Sequence, residues 1–395
     1  MRLFQTLLVL LAWGHGIAQR KVELKFMFEN RLRNAILSVP TTPPPAEGYP
    51  IVVMAHGTSG DANVFYNVHG WKELGQKENF VAIFPSSLEW CFYNKNFERY
   101  TNTSRWVCGG LLDSLCVQEF PKLINDVSFL KKLVQLVADS IRINKNKIFM
   151  SGFSNGSGMA HKIAMEATDI FAASGGSSSS LHELDTIHRP SPRRIPMFYM
   201  LGTKDDRYFS EIFPSELPFG GDSTLFYLKK SINTALLCQG LTENFTKQET
   251  AISKVYIWTT CKPGEKCAPY VFMLNKGQTH QFPNGINYPV DAPKILWEFY
   301  NNPPKVTVAT TPIRVGNNSE PIKVYPNPVV DYLMVSPTLN FPYSIEILGI
   351  NGQTMMRKIN LSGENRILLS DLARGSYILK FMSAGNIVYR KIIRT

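Results

Sequence analysis

The pentapeptide Gly152-Phe153-Ser154-Asn155-Gly156 constrains this chain more than any other segment. The apolar run Ile148 to Met150 before it reads as a strand, and the stretch through Met159, Ala160 and Ile163 after it reads as a helix. A strand that turns straight into a helix needs small residues on either side of the turn. It lifts the serine hydroxyl clear of the sheet edge, which is the arrangement of a nucleophile elbow.

The flanking sequence supplies a sheet for such a turn. Ile51 to Ala55, Val81 to Phe84, Ile148 to Met150, Phe171 to Ala173, Pro196 to Leu201, Val255 to Trp258 and Val271 to Leu274 are short apolar runs expected as strands. Between them, Leu123, Val127, Leu130, Val134, Val137 and Ile141 recur at helical spacing, and Ile295, Leu296, Trp297 and Phe299 mark a closing helix. Strands alternating with helices imply an α/β fold: a mostly parallel sheet covered by helices.

A serine hydroxyl is a weak nucleophile until a base takes its proton. In sites built on this turn the order along the chain is serine, acid, histidine. Only His182, His188 and His280 of the seven histidines come after residue 165. His280 lies just beyond the strand Val271 to Leu274, at the sheet end where ligands are met. It is the expected base. Asp205, in Leu201-Gly202-Thr203-Lys204-Asp205-Asp206, follows an intervening strand and is the expected orienting acid, ahead of Asp206. The oxyanion formed on attack needs fixed N–H donors. Asn155, next after the serine, and Thr58, in the loop after Ile51 to Ala55, are the expected donors. His56 and His161 are expected to be structural. This chemistry calls for no metal and no organic cofactor. Trp90 and Trp106, in the irregular segment 86–121, and Phe282, beside His280, are candidates for the substrate pocket.

The ends of the chain read differently. Arg2, the apolar run Leu7 to Trp13 and the small residues Gly16 and Ala18 form a signal-peptide pattern over 1–18, with cleavage expected after Ala18. The run is shorter than the roughly 20 residues of a membrane span, and no other segment is long and apolar enough. The six cysteines suit disulfides in an exported chain. Cys238 is expected to pair with Cys261, the rest being left open. The net charge of +11 is dispersed, and no nucleic-acid motif accompanies it. Residues 19–302 form the expected first domain. The stretch 303–323, rich in Pro, Thr, Val and Asn, reads as a linker. Residues 324–395 read as a small all-β sandwich, with a hairpin turn at Asn351-Gly352.

Together these segments resemble known groups. Arg33 to Pro40, Val53-Met54-Ala55-His56-Gly57, Asn125 to Phe129, the serine turn, Leu201 to Asp205, Thr279 to Pro283, Asp291-Ala292-Pro293 and Ile295 to Phe299 resemble carbohydrate esterase family one. That family's secreted feruloyl and acetylxylan esterases, and the related polyhydroxybutyrate depolymerases, share the α/β-hydrolase fold. Ser157 departs from it where glycine is common, as do Thr279 and Phe282 where glycine and tryptophan are common. The resemblance implies a secreted serine esterase acting through an acyl-enzyme, with feruloyl or acetyl esters on polysaccharide as preferred substrate and an aliphatic polyester as the alternative. A non-catalytic surface protein that binds polysaccharide is the reading of another class. Tyr325-Pro326-Asn327-Pro328, Leu372 to Tyr377 and Arg390 to Ile393 resemble the C-terminal sorting domain of type IX secretion in Bacteroidetes. This implies the type IX machinery as partner, export across the outer membrane, and then release or surface attachment.

Overall fold

The computed structural model describes residues 19–68, 70–94, 98–109, 114–179, 181–182, 185, 193–207, 223–308, 322–337, 343–349, 353–383 and 386–395. The expected signal peptide, 1–18, lies outside the described residues. The chain divides into two compact units, one ending at Thr310 and the other beginning at Thr311.

The first unit is built on a ten-stranded sheet. Its strands are β1 (Arg20–Phe28), β2 (Arg31–Val39), β3 (Tyr49–Ala55), β4 (Val81–Pro85), β7 (Ile143–Phe153), β8 (Ala173–Ser177), β9 (Met197–Gly202), β10 (Thr246–Glu249), β11 (Ser253–Trp258) and β13 (Tyr270–Asn275). A separate hairpin, β5 (Glu89–Asn94) and β6 (Arg99–Ser104), follows β4, and β12 (Thr260–Cys261) precedes β13. The sheet order is β1-β2-β4-β3-β7-β8-β9-β13-β11-β10. From β4 to β13 neighbouring strands are parallel; the pairs at both flanks are antiparallel. The sheet is therefore mixed, with its parallel part in the middle. The expected strands all fall in or beside that middle. The antiparallel β1–β2 hairpin carries little signal in the sequence, because its two-residue turn is Glu29-Asn30 rather than a glycine turn. Both residues take left-handed φ, 48° and 59°, as a tight hairpin turn requires.

The two faces of the sheet carry different helices. Val53, Ile83, Met150, Tyr199 and Phe272 point to one side, against α3 (Asp126–Ser140), α4 (Asn155–Glu166) and α5 (Ser223–Gln239). Val52, Met54, Phe84, Phe149 and Phe198 point to the other, against α1 (Ala62–Asn67), α2 (Trp71–Glu78) and α6 (Ala292–Asn301). Every residue of β3 is buried, which is why it reads as a continuous apolar run rather than an alternating one. The Asn125 side chain caps α3, accepting from the Val127 and Ser128 N–H groups, and the Asp291 side chain caps α6, accepting from Lys294 N–H. β8 begins at Ala173, later than Phe171 where the apolar pattern places it. Its sequence is Ala-Ser-Gly-Gly-Ser, so composition gives little strand signal.

The disulfides are Cys91–Cys116 and Cys261–Cys267. This corrects the expected Cys238–Cys261 pair. Cys238 lies buried at the end of α5, while the short loop 262–266 brings Cys267 back to Cys261. Part of the expected linker is also structured: β14 (Thr307–Val308) pairs with β12.

The second unit contains the sheet β15 (Ile322–Tyr325), β16 (Tyr332–Pro337) and β19 (Asn365–Leu368), and the sheet β18 (Thr354–Leu361), β17 (Tyr343–Gly349), β20 (Gly375–Ser383) and β21 (Asn386–Arg394). Both sheets contribute to one core, Leu333, Val335 and Ile367 from the first and Ile345, Leu379, Phe381 and Ile392 from the second. The Asn351-Gly352 turn lies outside the described residues, but the strands it would join pair antiparallel.

Candidate active site

The turn between β7 and α4 is tight enough to dictate its own sequence. Ser154 has φ 52° and ψ −123°, a strained backbone for a side-chain-bearing residue. A Cβ on Gly152 would stand 2.1 Å from the carbonyl oxygen of Gly156, and one on Gly156 would stand 2.2 Å from that of Ala55. Both positions exclude any side chain. The Ser154 N–H donates to the carbonyl of Ser177 in β8, so the turn is held by the neighbouring strand.

Two other sheet-end loops meet this serine. His280 Nε2 lies 2.9 Å from Ser154 Oγ. His280 Nδ1 lies 2.9 and 3.0 Å from the two carboxylate oxygens of Asp205. The serine hydroxyl thus donates to Nε2, while Nδ1–H donates to Asp205. Asp205 is fully buried and His280 is 18% exposed at its side chain, so the acid is shielded and the base is reachable. Asp206 points to solvent, its side chain 78% exposed, and stands outside this chain of hydrogen bonds.

The loops that carry these two residues are tied to each other. Thr203 N–H donates to the Asn275 carbonyl, Lys204 N–H to the Gln278 carbonyl, and Gly277 N–H to Thr203 Oγ1. The Asn275 amide donates to Gln278 Oε1, and Gln278 Nε2 donates to the Gln281 carbonyl. These hydrogen bonds, through the buried Asn275 and Gln278 side chains, tie the ends of β9 and β13 together and fix the His280–Asp205 separation.

The loop after β3 is the third component. A Cβ on Gly57 would lie 3.2 Å from Ser154 Cβ, which places the Gly57-Thr58 peptide beside the serine. His56 beneath it is fully buried. Ser87 N–H donates to His56 Nε2 at 2.9 Å, so the ring proton is on Nδ1, which donates to the Gly57 carbonyl at 2.7 Å. Burial pushes the imidazole pKa down to about 4, keeping it neutral. Because C=O and N–H point in opposite directions across a trans peptide, holding the Gly57 carbonyl also aims the Thr58 N–H. Asn155 opens α4, where N–H groups lack an intrahelical acceptor. Its side chain is engaged by the Trp106 backbone: Trp106 N–H donates to Asn155 Oδ1 at 2.6 Å.

Trp90 and Trp106 prove to be packing residues rather than pocket walls. Trp90 is buried with Phe92 and Leu115. Trp106 is fully buried, and its indole N–H donates to the His56 carbonyl. Their segment is anchored from below by a buried ion pair, Arg33–Asp126 at 2.9 Å. Asp126 also accepts Val107 N–H, and the Arg33 guanidinium lies over the Phe129 ring at 3.5 Å. Phe282 is buried too, edge-on to Phe153 and Phe65. Phe153 is the partly exposed member of this cluster and lies 5.2 Å from the His280 ring, centre to centre. Phe153 was not among the expected pocket residues, although its place next to the serine is a usable signal. His161 is buried, stacked on Tyr199, with Nδ1 at 3.0 Å from the Ser157 carbonyl.

Comparison with known proteins gives three kinds of match. Over 220 residues the chain is 21% identical to a bifunctional acetylxylan esterase/xylanase of Neocallimastix patriciarum, covering 55% of this chain and 27% of that protein. Over 123 residues it is 24% identical to a probable acetylxylan esterase A of Aspergillus clavatus, covering 31% of this chain and 34% of that one. The chain thus spans about a third or less of the length of these relatives. Among solved structures, an acetyl xylan esterase from Aspergillus awamori aligns at 14% identity with a TM-score of 0.45, covering 75% of this chain and 99% of that one. A ferulic acid esterase from Anaeromyces mucronatus aligns at 12% identity and 0.41, covering 73% and 92%. Among the described residues no helix is long and apolar enough to cross a membrane. Residues 323–395 match the family model described as Secretion system C-terminal sorting domain, which indicates secretion or cell-surface attachment.

Proposed function

We propose that the protein is an exported serine esterase that removes acetyl or feruloyl groups from polysaccharide, with Ser154 as nucleophile. The observation that carries this is the continuous hydrogen-bonded row from Ser154 Oγ through His280 to buried Asp205. In this reading His280 Nε2 takes the serine proton as Oγ attacks the ester carbonyl. Asp205 holds the ring in the tautomer with Nδ1 protonated and stabilises the imidazolium. Negative charge develops on the carbonyl oxygen, and the N–H groups of Asn155 and Thr58 are the donors for it. His280 then protonates the departing alcohol, here a sugar hydroxyl. Water, activated by the same imidazole, releases the acid from Ser154. No step calls for a cofactor. The curated relatives named as acetylxylan esterases support the acyl and polymer choice. The C-terminal sorting domain supports action outside the cell, with the type IX machinery as the export partner.

The test is hydrolysis of a chromogenic acetate ester, followed by methyl ferulate, acetylated xylan and polyhydroxybutyrate. Ser154→Ala is expected to lower kcat by about 10⁴ or more. Equal slow turnover by the wild type and this variant would remove the esterase reading. Hydrolysis of the polyester alone would replace the polysaccharide ester with an aliphatic one and keep the mechanism.

A further inference from the structure

The β5–β6 hairpin joins the candidate site at one end and carries exposed aromatic rings at the other. At its base Ser59 N–H donates to the Ser104 carbonyl, Ser59 Oγ hydrogen-bonds Thr103 Oγ1, and Ser104 Oγ donates to the Gly60 carbonyl. The hairpin is thereby continuous with the loop that presents Thr58. One of its faces is buried, through Trp90 and Phe92. The alternate residues Glu89, Cys91 and Tyr93 of β5 and Tyr100, Asn102 and Ser104 of β6 form the other face, paired in register across the strands.

Tyr93 and Tyr100 are directly opposite each other, their rings 5.4 Å apart and edge-to-face. They are 37% and 67% exposed, unlike the two tryptophans of the segment. Exposed rings on a two-stranded ribbon would ordinarily cost order. Here the Cys91–Cys116 disulfide fastens the ribbon immediately beside Tyr93. Asn102 and Glu89 on the same face are exposed and supply amide and carboxylate groups. Apolar ring faces flanked by uncrowded hydrogen-bonding groups match a pyranose chain, whose C–H faces pack on aromatics while its hydroxyls take polar partners. Three residue steps of strand, roughly 10 Å, lead from Tyr100 to Thr103 at the loop contact.

We infer that Tyr93 and Tyr100 form a docking platform for the neutral polysaccharide chain that bears the ester, holding the polymer while one of its acyl groups is presented to Ser154. The platform rests on reading the site as an esterase for polysaccharide esters, and its test separates the two ideas. The full-length protein is compared with the Tyr93→Ala/Tyr100→Ala and Tyr93→Phe/Tyr100→Phe double variants. Three readouts are used: kinetics on acetylated xylan, kinetics on phenyl acetate, and retardation in a gel containing xylan stripped of its acetyl groups. The alanine pair should raise KM for acetylated xylan about tenfold with kcat unchanged, and should lose retardation. Its phenyl acetate parameters should match wild type. The phenylalanine pair, which keeps both rings, should behave as wild type throughout.

An alanine pair indistinguishable from wild type on the polymer overturns the platform. So does a parallel loss on phenyl acetate, which would mean damage to the site itself. Wild-type hydrolysis of acetylated xylan without tyrosine-dependent retardation sinks the platform and leaves the esterase reading standing. Tyrosine-dependent retardation without any hydrolysis of sugar esters supports the platform and sinks the substrate choice.

Discussion

Ser154, His280 and Asp205 are separated widely in sequence and meet within 3.0 Å of one another in turn. Asp205 and Asp206 are adjacent in sequence but opposite in environment, one buried against His280 and the other in solvent. Asp205→Asn is expected to lower kcat by about 10⁴, since the amide favours the wrong imidazole tautomer. Asp206→Asn should leave kcat unchanged, and steady-state kinetics on a chromogenic ester checks both. His56 acts one step further back, on the Gly57-Thr58 peptide. His56→Asn, too short to reach both of its partners, should lower kcat by up to about 10² while KM stays put, as expected for loss of one aimed oxyanion donor. A rise in KM with unchanged kcat would instead mean that His56 serves only ground-state binding.

At the level of elements, the candidate site is made by four loops at one end of the parallel strands. The turn after β7 carries the serine, the loop after β3 lies against it, and the loops after β9 and β13 are knitted into one polar network. The close approach of α4 to β3 makes this possible, and Gly156 is where they touch. Gly156→Ala is expected to destabilise the protein by more than about 2 kcal/mol, because its Cβ would meet backbone that is part of a buried strand and cannot yield cheaply. Thermal unfolding of the full chain reads this directly, as a drop in Tm. The hydrophobic pattern made the central strands legible. It missed β1 and β2, whose turn lacks glycine, and shifted β8, whose residues are small.

At the level of the whole molecule, stability is coupled to pH through buried histidines. Desolvation lowers His56 to about 4 and His161 to about 3, against an ordinary 6.5. Below about pH 6.5 the unfolded chain binds protons that the folded chain refuses. Their stabilising contribution is therefore full above that pH and declines as the pH falls toward 4. Each group accounts for on the order of 3 kcal/mol across the window. Urea unfolding at about pH 7 and about pH 5 should show the decline, and His161→Gln should flatten it. An unchanged slope in that variant would mean that the carboxylates, not this histidine, set the acid limit.

The sequence by itself determined the order in which the residues of the candidate site follow one another along the chain. The glycines around Ser154, the apolar runs that become parallel strands, and the position of His280 after the last of them follow from local rules of turn and strand. So does the change of character near Asn301, after which alternating strands replace helices. Tertiary structure decided what depends on distance and water. It chose Asp205 over Asp206 by burying one carboxylate. It put Trp90 and Trp106 in the interior, where their composition alone had suggested a pocket wall. It joined Cys261 to Cys267 because a short turn holds those two together, while Cys238 is fixed elsewhere by its helix. A residue's type limits what it can do, but only the packing of distant segments sets its partner and its solvent, and those two govern proton transfer, burial and cross-linking.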